Sequence, residues 1–82
     1  MDHEIGQLRW RCRRGMKELD VLLTRYLDEG YRDAPLSEQQ AFRRLLEAHD
    51  ALLYAYFLGR VPAPDAVLSA LVERITACVA NR

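Results

Sequence analysis

The chain has 82 residues, with 12 Lys or Arg balanced by 12 Asp or Glu, so its formal net charge is zero. A chain of this length builds one hydrophobic core and leaves little room for a deep catalytic cavity. Charge neutrality disfavours a partner chosen by bulk electrostatics, such as nucleic acid or an anionic membrane, while a hydrophobic fraction of 50% is ordinary for a compact domain.

Taken in chain order, the first pattern is helical. Asp2 is a good N-cap, and Ile5, Leu8 and Cys12 recur on one side of a helix that should run to about Arg13, leaving Trp10 well off that stripe. Trp10 is either packed under another helix of the bundle or an exposed aromatic anchor. Gly15 breaks the pattern, and a second apolar stripe follows with Met16, Leu19, Leu22, Leu23, Tyr26 and Leu27 on one arc, ending at Gly30 as a C′ residue. Residues 31–35 read as a loop, because Pro35 disfavours helix at the residue before it. Ser37 with Gln40 three residues on predicts a capping box for a third helix, with Phe42, Leu45, Leu46 and His49 sharing a face and Ala41 beside it. Asp50 is placed to cap a fourth helix over residues 51–58, closed by Gly59. That segment is apolar all round, which predicts the central helix of the bundle. After the stiff link at residues 61–64, Asp65 caps a fifth helix whose arc holds Val67, Leu68, Leu71, Val72, Ile75, Cys78 and Val79. The expected fold is all-α: a compact bundle of five short helices forming a single helical domain over residues 1–82.

The corner between the first two helices carries the most charge. Arg9, Arg11, Arg13, Arg14 and Lys17 cluster there and Glu18 and Asp20 follow at once, so the surface is mixed rather than a positive stripe. On the wheel of the second helix Glu18 lies opposite the apolar arc, and Arg14, extrapolated back along the helical path, lands beside it. Such a pair contributes only about 0.2–0.5 kcal/mol to a helix, so its expected use is a grip on another protein.

Arg14-Gly15-Met16-Lys17-Glu18 resembles the R-G-x-x-E signature of the small all-helical flavinylation factors of succinate dehydrogenase. Leu8, Trp10, Arg13, Leu19 and Asp20 fit the same helix-corner pattern, and Phe42, Leu45, Leu46, Glu47 and Asp50 match its second segment, F-x-x-L-L-E-x-x-D. The likeness runs from about residue 5 to about residue 65. It departs mildly near Tyr56, where that family tends to carry Trp. The resemblance implies an assembly factor that binds the flavoprotein subunit of succinate dehydrogenase, with that of fumarate reductase as a further client, and promotes covalent attachment of FAD. It also implies that Arg14, Gly15 and Glu18 contact the client, with Met16, Lys17, Asp20 and Trp10 in a second rank, and that no cofactor is held stably by the factor itself.

Other chemistries find no support in the residues. The four glycines form neither G-x-G-x-x-G nor a Walker pattern, which excludes FAD bound by a Rossmann module. His3 and His49 have no evident partner for nucleophilic catalysis or metal ligation, and Glu18 and Asp20, two apart, point in different directions on a helix. The expectation is a non-enzyme. An acidic N-terminus without a long apolar run predicts a cytoplasmic protein without membrane insertion, and Cys12 and Cys78, far apart, read as small buried hydrophobes. The competing reading is an antitoxin-like or nucleic-acid-binding helical module that uses the basic patch of residues 9–17.

Overall fold

Apolar stripes at helical spacing become five helices in the computed structural model, which describes the backbone of residues 2–80 and the side chains of residues 4–77. They are α1 (Asp2–Arg11), α2 (Lys17–Tyr26) continued by a π-helical turn (Leu27–Tyr31), α3 (Leu36–Leu45), α4 (Asp50–Leu58) and α5 (Ala66–Ala80). The all-α bundle is therefore as expected. The side chains of Asp2, Cys78 and Val79 lie outside the described residues, and with them the expected first cap and the end of the α5 stripe.

The centre is built by α2, α3 and α5, with α5 packed against both of the others. Leu19, Leu23, Tyr26 and Leu27 face Phe42 and Leu45 of α3 and Leu71 and Ile75 of α5, in one core that holds no buried polar or charged residue among those described. Tyr26 and Tyr31 both lean on Phe42, with ring centroids 5.0 and 5.6 Å away. Leu8 and Cys12 bring α1 onto this core, and burial pushes the Cys12 thiol up to about 11. Val67 is exposed and does not join the α5 arc.

Several local expectations give way to tertiary packing. The first helix ends at Arg11 rather than Arg13. Gly30 does not stop the second, since only Gly15 and Gly59 have positive φ. Instead the chain widens into the π turn, which delivers the Tyr31 ring to the core and lets its hydroxyl donate to Glu4 Oε2 at 2.7 Å. Glycine suits position 30 for a different reason: a Cβ there would lie 3.0 Å from the Tyr26 ring, closer than ordinary contact.

The capping box does not form either. Extended Pro35 (φ −60°, ψ 156°) starts α3 at Leu36, its carbonyl takes the N–H groups of Glu38 and Gln39, and no side chain caps the end. His49, expected on the α3 face, is instead the exposed N-cap residue of α4. Asp65 does cap its helix, accepting the Leu68 N–H at 2.9 Å, and with Arg44 beside it its carboxyl is held below the usual carboxylate range. Gly59, at φ 74°, closes α4 with the Arg60 N–H on Ala55 O and the Gly59 N–H on Tyr56 O, the Schellman arrangement.

The clearest correction concerns α4, which is not the central helix. Leu53 is its one fully buried residue, while Leu52 and Leu58 are 37% and 47% exposed. The stripes of α2, α3 and α5 already enclose the core, so α4 can only lie over one side of it. The packing around Gly30 gives a direct test. Tyr26 is clamped by Phe42 and by the bond from its hydroxyl to Glu38, so it cannot yield to a methyl group. Gly30→Ala should destabilise the protein by about 1 kcal/mol despite the better helix propensity of alanine, read as a lower urea midpoint at unchanged m-value.

Candidate functional site

The corner between α1 and α2 is shaped by two backbone devices. Gly15 sits at φ 83°, a conformation costly to residues with a Cβ, and turns the chain away from the helical path before extended Met16 admits it to α2. Asp20, one turn into α2, reaches back so that its Oδ1 accepts the Arg14 N–H at 2.7 Å. Residues 13–16 are therefore not helical, and the extrapolation that set Arg14 beside Glu18 on an outward face does not hold.

Arg14 instead points across the molecule to the turn between α3 and α4. Its Nε–H donates to Arg11 O at 2.9 Å, Nη1 donates to Ala48 O at 2.9 Å and contacts Asp50 Oδ1 at 3.3 Å, and Nη2 donates to Leu46 O. The side chain is only 14% exposed. Carbonyls at the C-terminal ends of α1 and α3 lack intrahelical donors and carry the negative end of each helix dipole. One planar cation with five N–H groups serves both ends at once.

The other corner residues divide by exposure. Met16 packs against the core, and Asp20 is half-buried in its bond to the Arg14 backbone. Gly15, Lys17 and Glu18 are exposed, and a Cβ added to Gly15 would meet nothing within 4 Å. Glu18 makes no hydrogen bond or ion pair with any described residue. Trp10 does not pack under a neighbouring helix: it is 71% exposed, with the Arg13 guanidinium 5.7 Å from its ring centroid. The basic patch is thinned by pairing, since Arg9 binds Asp28 at 2.5 Å and Arg14 is consumed internally. No group of three or more His, Cys, Asp or Glu among the described residues could hold a metal ion.

Reading the sequence missed the counterpart of this corner. Asp50, expected to cap α4, faces Arg14 instead, and α4 has no side-chain cap. The only hint was that Leu46 and Asp50 both belong to the second motif segment, which the fold brings against the first.

Comparison with known proteins places both motif segments within one family match. Residues 6–79 match the Sdh5 family, described as flavinator of succinate dehydrogenase. The chain belongs to this family. It is 45% identical over 74 residues to a protein of Methylococcus capsulatus named FAD assembly factor SdhE, covering 90% of this chain and 89% of that one. Proteins of the same name from Colwellia psychrerythraea and Shewanella oneidensis are 44% and 42% identical, covering 85% and 87% of this chain and 77% and 87% of theirs. The family match extends beyond the two motif segments into α5. No helix among the described residues is long and apolar enough to cross a membrane.

The geometry of this Sdh5-family chain makes Arg14 testable without any partner. Removing the side chain leaves Leu46 O and Ala48 O without their donor, while Asp50 is open to water, so Arg14→Ala should cost the isolated protein about 1–3 kcal/mol. Arg14→Lys should recover only part of this, because an ammonium cannot span both helix ends. Urea unfolding of the purified protein checks both values, and an unchanged stability for Arg14→Ala would show that the bridge contributes nothing.

Proposed function

We propose that this protein is an assembly factor that binds the flavoprotein subunit of succinate dehydrogenase, with that of fumarate reductase as a further client, and promotes covalent attachment of FAD to it. The observation that carries the reading is the family match over residues 6–79, with the Arg14 to Glu18 signature lying at a corner tied to the second motif segment. The relatives' shared name, FAD assembly factor, supports the same reading.

In this reading the factor contributes no reacting group and holds no FAD of its own. The bond forms between a histidine of the client and its flavin. What a small helical protein adds is selection: it binds best the client conformation in which histidine and flavin are aligned, and only the difference in affinity between conformations counts. A preference of about 1.4 kcal/mol shifts the population ratio tenfold. After the bond forms, the client relaxes and the factor leaves.

The corner residues take distinct parts. Glu18, exposed and unpaired, accepts hydrogen bonds from the client, and Gly15 lets the client backbone approach where a side chain would stand. Lys17 and Trp10 flank them. Arg14, Met16 and Asp20 hold the corner in shape, and Arg14 contributes through that shape more than by reaching out.

Deleting the gene should abolish or sharply reduce the in-gel flavin fluorescence of the denatured flavoprotein subunit. Wild type should restore it, whereas Gly15→Arg should not. Since the space around Gly15 is open, that variant should fold, at a cost of about 1–2 kcal/mol for the left-handed backbone, as circular dichroism would confirm. Normal fluorescence in the deletion strain would count decisively against the assembly role.

A further inference from the structure

Six ion pairs among the described residues engage Arg9, Arg14, Arg25, Arg43, Arg44 and Arg74. Arg11 and Arg13 enter none of them. They follow Trp10, the most exposed of the large hydrophobic residues at 71%, and Arg13 stacks over its ring. An exposed indole with one guanidinium stacked on its ring and a second on the adjoining residue, neither paired with a described carboxylate, matches the composition of the residues that dominate protein interfaces.

A second observation lies one turn earlier on the same helix. Gly6 is in the interior of α1, where glycine weakens a helix. Its φ is not positive, and a Cβ added to it would meet nothing within 4 Å, so nothing inside the molecule requires glycine there. The bare backbone borders a shallow, open hollow lined by Gly6, Gln7, Trp10 and Arg11.

We infer that the outer face of α1 is a docking surface for a carboxylate-bearing segment of the flavoprotein partner, seated beside Gly6 against Trp10, with Arg11 lining the hollow and Arg13 stacked on the indole to receive its carboxylates. The inference rests on the proposed function for the identity of the partner and extends the contact surface away from the corner, up α1. Charge complementarity selects the occupant: two guanidinium groups without internal carboxylates call for carboxylates from outside, and a planar fork binds them bidentately. A large side chain at position 6 would fill part of this hollow.

The test measures binding of the purified flavoprotein subunit of succinate dehydrogenase by calorimetry at low and at physiological salt. Wild-type affinity should fall as salt rises. The double variant Arg11→Gln, Arg13→Gln should bind about tenfold more weakly at low salt and show a flatter salt dependence. Gly6→Leu should match or exceed the wild type in helicity and melting temperature, yet also bind about tenfold more weakly. Wild-type affinity in either variant overturns the docking surface while leaving the assembly role standing. Failure of the wild-type protein to bind the subunit overturns both. A gel shift with duplex DNA serves as the remaining arm: tight, steeply salt-dependent binding that the double variant loses would assign this face to nucleic acid and overturn the inference.

Discussion

The structure depends on one guanidinium group. Arg14 closes the last turns of α1 and α3 together, donating to Arg11 O on its own side and to Leu46 O and Ala48 O on the other, with Asp50 close by. In a larger protein each of those helix ends would have its own cap or its own water. Here neither α2 nor α4 begins with a side-chain cap, and the two inter-helix turns are tied to each other instead. The arrangement concentrates much of the orientation of five short helices in a single residue, and it fixes the exposed corner against the rest of the bundle.

That economy follows from size. A chain of 82 residues cannot surround any helix with a full second layer. Three stripes, from α2, α3 and α5, meet and exhaust the core, so α1 and α4 cover its edges and each leaves apolar surface outside. The π turn after α2 serves the same core. By widening the helix for one turn it buries Tyr31, whose hydroxyl donates to Glu4 of α1 and accepts from Arg43 of α3. Polar links of this kind ring the core without entering it.

A protein that acts by selecting a partner's conformation needs a stiff surface, because differential affinity is lost when the surface adapts to every conformation offered. Under the proposed function, the corner would meet that need by dividing its labour. Arg14 and Asp20 hold the backbone from within, while Gly15 and Glu18 face out. Residues adjacent in a short motif therefore have opposite orientations here, one turned into the molecule and one facing out.

The sequence by itself determined what depends on neighbours along the chain. The apolar spacing of α2, α3 and α5, the breaks at Gly15 and Gly59 and the Asp65 cap were all legible, because helical periodicity, positive φ and first-turn hydrogen bonds are set within a few residues. The exposed position of Glu18 was legible for the same reason. Only the tertiary structure decided the direction of Arg14, the part played by Asp50, the peripheral place of α4, the fit of glycine at position 30 and the exposure of Trp10. Each of these depends on a residue brought close from elsewhere in the chain or on which faces other helices had already filled. The partners of Arg14 on the α3–α4 turn stand 32 to 36 residues away, and a helical wheel drawn for one segment holds no information about groups that distant.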